Sequence, residues 1–318
     1  MDHPASPSQG EPSSARPARA VPVLEIGGTH VTAALVGLHG AGFVPGTAVR
    51  TGLDAGAAAA DILGAIAAAA LRLGDGHSRT WGIAFPDPFD YRRGIGFFAG
   101  MGKFESLHQV DVATGLRQRL GRHALSLAFL NDAEAFAIGQ HHLGTPTGHR
   151  RVVHLTLGTG VGSCFLADGR PVRHGGEVPP QGTVHRLSLD GQRLEHLVSR
   201  AAIRRRYADA LPRRPSEDAW PDVREIAERA RAGDRFAAAV IDATCTDLAR
   251  AVAPWCTRFQ ATAIVVGGSV STSWDLIAPP LSAGLSRHTA PGRPVPALLR
   301  ATHPDDAPLI GAAVHAQR

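Results

Sequence analysis

The 318-residue chain has three cysteines, Cys164, Cys245 and Cys256, an odd number with no C-x-x-C pair among them. That argues against a disulfide framework and a cysteine-built zinc site, and it points to a reducing compartment, the cytoplasm. No apolar run is long and uncharged enough for a membrane span. The most apolar stretch, Ala55–Leu73, is broken by Asp61 and Arg72 and reads as a buried helix. No basic block exists either. The net charge of +5 comes from arginines spread along the chain, which suits an anionic ligand and not a nucleic-acid groove. Residues 1–20 are rich in Pro, Ser, Ala and Arg without an apolar centre, and read as a disordered tail instead of a signal peptide.

What the chain does have is a pair of similar glycine turns. In Leu155–Gly169 an apolar run meets Gly158, Thr159, Gly160 and Gly162, and a second apolar run leaves them. Glycines at alternate positions let backbone N–H groups approach a ligand oxygen without hindrance from Cβ atoms. A dinucleotide or Walker loop would open a helix directly after the turn. Here Ser163–Ala167 reads as a strand, so the unit is a hairpin with a phosphate-binding tip. Val23–Val36 repeats the construction around Gly27, Gly28 and Thr29. A nicotinamide oxidoreductase is disfavoured by the same glycine spacing and by the strand standing where its helix belongs. Two phosphate hairpins, one in each half of a chain long enough for two domains, imply an α/β protein of the two-domain, actin-like ATPase (ribonuclease H-like) type with its site in the interdomain cleft.

Taken in order, Gly42–Arg50 continues the first strands, and Asp54 is expected to cap the Ala-rich helix. Thr80–Phe85 is a strand closed by Pro86-Asp87-Pro88, Gly94–Phe104 a loop, Val110–Leu120 a helix and Ala124–Leu130 a strand. That strand delivers Asn131 and Asp132 to a helix over Ala133–His142. A carboxylate at the carboxyl end of a strand, where a helix begins, sits where open α/β sheets bind ligands. Asp132 is either a simple helix cap or a general base that takes a hydroxyl proton during phosphoryl transfer. Farther on, Val184–Leu189 is expected as a strand and Glu195–Tyr207 as one helix, with Arg204–Arg206 on a solvated face. Asp222–Ala232 and Arg235–Ala253 read as helices, Thr262–Val266 as a strand ending in Gly267 and Gly268, and Leu309–His315 as a closing helix. The glycine pair is equally well a nucleotide platform or a packing turn.

Over Val23–His315 the chain resembles the ROK family, the repressor and sugar-kinase group that includes bacterial glucokinases. The resemblance is carried by Leu24-Glu25-Ile26-Gly27-Gly28-Thr29, Gly82-Ile83-Ala84-Phe85-Pro86, Leu130-Asn131-Asp132-Ala133, Leu157-Gly158-Thr159-Gly160-Val161-Gly162, Val265-Val266-Gly267-Gly268 and Leu309-Ile310-Gly311-Ala312-Ala313. It implies ATP-dependent phosphorylation of a hexose hydroxyl with Asp132 as general base and Mg²⁺ on the phosphates. It also implies sugar contacts from Asn131, Asp132, Glu177 and Glu195, and a homodimer with no nucleic-acid or membrane partner. The domains implied are 21–132, completed by the C-terminal helix 303–318, and 133–302.

The chain departs from the family pattern at three places. Glu25 stands where the family has the aspartate that steers Mg²⁺, moving the carboxylate by up to roughly 1.5 Å. The family's zinc cysteines and their histidine are missing, with Pro179-Pro180 in the histidine segment, so no zinc is expected and His185 is a candidate for the lost sugar contact. Asp87 replaces a glycine near the sugar pocket. A sugar- or nucleotide-binding regulator without catalysis is the alternative that these departures leave open.

Overall fold

A computed structural model describes residues 20–38, 42–44 and 46–318. The expected tail lies outside them except for residue 20. The first half contains β1 (Val21–Ile26), β2 (His30–Gly37), β3 (Gly42–Phe43), β4 (Val49–Gly52), α1 (Ala59–Leu71), β5 (Thr80–Phe85), β6 (Phe89–Asp90), β7 (Ile95–Gly96), α2 (Val112–Leu120) and β8 (Ser126–Asn131). The second half begins with α3 (Asp132–His142), β9 (Arg151–Leu157), β10 (Val161–Ala167), β11 (Arg170–Pro171), β12 (Ser188–Leu189) and β13 (Gln192–Arg193). It continues through α4 (Glu195–Val198), α5 (Arg200–Ala210), α6 (Val223–Arg231), α7 (Arg235–Phe259), β14 (Ala263–Gly267), α8 (Trp274–His288), β15 (Ala297–Arg300) and α9 (Ala307–Ala316).

The two main sheets repeat one plan. Their strand orders are β3-β2-β1-β5-β8 and β11-β10-β9-β14-β15, each an antiparallel hairpin followed by two parallel strands. The parallel strands are covered on both faces, which is why β1 and β14 read as nearly continuous apolar runs. Helices α1 and α2 cover one face of the first sheet, and α7 and α8 one face of the second. Between the sheets lie α3 and α9. Leu130, Ala135 and Ile138 join Val23 and Ala84 of the first sheet, Cys164 and Leu166 of the second, and Leu309–Ala313 of α9 in one cluster.

Several elements differ from expectation, each for a local reason. Asp54 accepts the Gly56 N–H at 2.8 Å in a turn of its own, and α1 starts later at Ala59 without a side-chain cap. The helix expected over Glu195–Tyr207 breaks at Ser199, whose extended backbone and hydroxyl cap α5. The Arg204–Arg206 run is not a solvated face: Arg204 donates to the Trp220 and Pro221 carbonyls and Arg206 pairs with Asp247. Of Val184–Leu189 only the last two residues form a strand. The long helix passes through Pro254 to Phe259.

His154, in the middle of β9, is fully buried with neither ring nitrogen hydrogen-bonded. Burial, aided by His141, pushes its pKa down to about 3. The unfolded chain therefore binds a proton that the fold refuses between about pH 6.5 and pH 3, and stability falls as pH drops through that window. His154→Leu should lose about 2 kcal/mol less than the wild type between pH 7 and pH 5, at about 1.4 kcal/mol per unit below 6.5. Denaturant titrations at the two pH values check this; equal losses would refute it.

Candidate active site

Five of the six motifs singled out in the sequence sit at the carboxyl ends of parallel strands, on the side where the two sheets face one another; the sixth, Leu309–Ala313, lies in α9. Strand β1 runs into the turn Gly27–Thr29, β5 into Pro86-Asp87, β8 into Asn131-Asp132, β9 into Gly158–Gly160 and β14 into Gly267-Gly268. This is where strand order dictates that a ligand binds. A cleft of about 540 Å³ there is lined by Glu25, His30, Arg50, Asp132, Thr156, Gly268 and Asp305.

Asn131 closes β8 and caps α3: its Oδ1 accepts the N–H groups of Ala133 (2.9 Å) and Glu134 (3.3 Å). Its Nδ2 donates to Asp87 Oδ2 (3.0 Å) and to the Tyr91 hydroxyl (3.1 Å), while Tyr91 donates to Asp87 Oδ1 (2.8 Å). Asp132 follows at the first turn of α3. Its carboxyl is pushed up to about 6, first by burial and then by the Asp87 charge, against the Ala133 N–H and the Lys103 ammonium. The residue as a whole still exposes surface to the open cleft. Gly162 lets this helix start lie against β10, since a Cβ there would meet Ala133 Cβ at 2.9 Å.

Glu25 sits on β1, with β5 between it and β8, opposite Thr32 in the hairpin. Burial and the Asp132 charge raise its carboxyl to about 7, with Arg50 acting in the other direction. Carboxyls that resist shared ionisation in this way suit a divalent cation. Among the described residues no three His, Cys, Asp or Glu side chains form a metal cage. Mg²⁺ asks for less, one or two carboxylates plus water and substrate phosphates, so the donors present fit it.

The remaining expected residues divide. Glu195 approaches the second turn so closely that a Cβ on Gly160 would stand 2.5 Å from its Oε1. His185 lies within electrostatic reach of Glu195 and Asp87, and burial holds its pKa down. Gly268, at φ +84°, lines the cleft, and its positive φ suits glycine. Gly267 serves as a packing position, with a Cβ there overlapping the Phe136 ring. Glu177 is displaced from the cleft. Arg151 holds it at 2.5 Å, and Arg151 begins β9, about 20 Å along that strand from the glycine turn.

Beyond the second turn a further cavity of about 500 Å³ is lined by Arg200, Asp222, Val223, Arg231, Ser269, Val270 and Ser273. Arg200 N–H donates to the Gly158 carbonyl (2.9 Å), so this cavity and the cleft meet at the turn. A larger, open concavity of about 830 Å³ at the far end of the second sheet contains none of the expected residues, and its Arg150 and Arg151 are already paired with Asp168 and Glu177. Arg50, Tyr91, Lys103 and Asp305 were not read as site residues from the sequence. Only Arg50 had a usable signal, as a basic residue on a strand expected beside the first hairpin.

The chain is similar to several known proteins. The pattern of the ROK family matches residues 22–318. A glucokinase of Thermotoga maritima is 31% identical over 240 residues, 70% of this chain and 74% of that protein. A ROK hexokinase structure from Thermus thermophilus matches 94% of this chain and 98% of its own at TM-score 0.74 and 25% identity. A ROK glucokinase from Streptomyces griseus, solved in complex with glucose and AMPPNP, matches 93% of this chain and 98% of its own at TM-score 0.75 and 23% identity. These structures share the two-domain actin-like ATPase fold, and the chain belongs to the ROK family.

Proposed function

We propose that the chain is a glucokinase-like sugar kinase that transfers the γ-phosphoryl group of ATP to a hexose hydroxyl. The observation that carries this reading is Asp132, a carboxylate of raised pKa at the head of α3, lying between two glycine hairpins. The hydroxyl oxygen attacks the γ-phosphorus, its proton passes to Asp132, and the bond to the β,γ-bridging oxygen breaks with its electron pair leaving on ADP. Adenosine occupies the cavity beside Ser269–Ser273, and the phosphates pass Gly158–Gly160 and Gly268 toward Gly27–Thr29 and Arg50. Asp87, His185 and Glu195 face the sugar. Asn131, with both ends of its amide engaged, holds the Asp87 carboxylate in place.

Mg²⁺ would be held by Glu25, with phosphate oxygens and water completing the shell, and would neutralise charge on the phosphates. Glu25→Gln should raise the Mg²⁺ concentration needed for half-maximal rate by about 10–100-fold. A Mg²⁺ titration of initial rate with an unshifted midpoint would remove Glu25 from the metal.

A phosphoryl-transfer assay with ATP and Mg²⁺ against glucose, mannose, fructose and N-acetyl hexosamines tests the whole reading. Turnover on one of these sugars is the expected result. Sugar binding by calorimetry with no transfer from ATP or from polyphosphate would make the chain a regulator instead, as the Glu25 replacement allows.

A further inference from the structure

Of the chain's 33 lysine and arginine residues, one is a lysine, Lys103. It stands in the loop between β7 and α2, which is fixed on both sides of it. Gly102 donates its N–H to Glu105 Oε1 (2.9 Å), and Phe104 donates its own to the Ala55 carbonyl (2.8 Å). The Phe104 ring is fully buried between Phe85 and Phe98, with centroids 5.9 and 5.4 Å away. Gly102 and Phe104 both have positive φ, 70° and 57°, so the backbone turns sharply on each side of the lysine. From there the side chain crosses to the first glycine turn, its Cδ 3.9 Å from the place a Cβ on Gly28 would occupy. Its charge also reaches Asp132. Among the described residues no carboxylate or carbonyl holds its ammonium.

An unpaired ammonium on a braced loop, between a phosphate turn and a general base, lies where the phosphoryl group travels. We propose that Lys103 contacts the γ-phosphoryl group during transfer, an inference that rests on the kinase reading above. The transferring group spreads negative charge over three oxygens that move from donor to acceptor. A compact ammonium with rotatable donors can follow them, whereas a guanidinium offers a fixed fork. That accounts for a lysine here in a chain that uses arginine everywhere else. The contact matters most at a site with Asp132, Glu25 and Asp305 around it, where an uncompensated phosphoryl group would be repelled.

Lys103→Met keeps the length of the side chain and removes the charge. Its kcat should fall about 10²-fold with KM for sugar changed less than about threefold, and Lys103→Arg should recover only part of the rate. Calorimetry supplies an arm that needs no turnover: the factor by which ATP binds more tightly than ADP should shrink about fivefold in Lys103→Met, with ADP affinity retained. A wild-type kcat together with an unchanged preference for ATP over ADP would overturn the role of Lys103. Wild-type protein that binds ATP but phosphorylates no sugar would overturn the kinase reading while the calorimetry still decides Lys103. Failure to bind nucleotide at all would overturn both.

Discussion

Replacing Asp132 by alanine should lower kcat by about 10²–10⁴-fold, the usual contribution of a positioned general base, while sugar and ATP still bind. The residue is placed by two independent constraints. Strand β8 ends at Asn131, whose side chain caps α3, and Gly162 of the second hairpin admits the first turn of that helix. A base so placed, as proposed for Asp132, needs no flexible loop to carry it. Its pH dependence follows from its surroundings. Burial and the Asp87 charge raise the carboxyl to about 6, and the base works only when deprotonated. Activity should therefore fall about tenfold per unit below about pH 6 and level off above it. Asp87→Asn should shift that acid limb downward, since it removes the charge opposing ionisation of Asp132. Rate profiles from pH 4.5 to 8 on the wild type and both variants decide the matter. Full activity in Asp132→Ala would assign the proton to another group.

Much of this site was legible because its parts are local in sequence. The two hairpins, the Asn131-Asp132 pair and the strand ends are contiguous patterns of apolar run, glycine and carboxylate, and the duplicated sheet order brings them to one cleft. Residues placed by pairing across strands or by distant partners carried little or no signal. Arg50 enters the cleft because β4 pairs with β2 opposite Thr32. Tyr91 enters through its bonds to Phe85, Asp87 and Asn131. Glu177 was misread for the same reason. Its place was read from the family's sugar-binding segment, but Arg151, 26 residues earlier, sets its position. Asp54 illustrates a subtler failure: Asp favours helix caps and Asx turns alike, and nothing local chose between them. Helix α8, with Pro279 and Pro280 inside it, and β15 were not anticipated, because prolines within a helix look like loop signals.

Gly311→Ala should destabilise the protein by about 3 kcal/mol or more, toward the upper end of overpacking costs. A Cβ there would overlap the Ala135 carbonyl, where α9 crosses α3 with backbones in contact. The same crossing is closed from the other side by Gly139 against the Ala307 carbonyl, and Gly82 admits the Ala312 carbonyl to the first sheet. Three glycines on three different elements thus let one helix pair fill the space between the sheets, and any added methyl must push rigid backbone instead of a side-chain tip. Activity should suffer beyond the loss of stability. Asp132 lies seven residues before Gly139, about 10 Å along α3, so a displaced helix carries the base with it. Gly64, inside α1 with nothing within 4 Å of its would-be Cβ, is the matched control. There alanine should be neutral or stabilising by up to about 1 kcal/mol. Thermal melts of both variants, with kcat measured well below each midpoint, separate the two effects. A Gly311→Ala protein that melts and turns over like the wild type would show that α3 and α9 can move apart without moving the site.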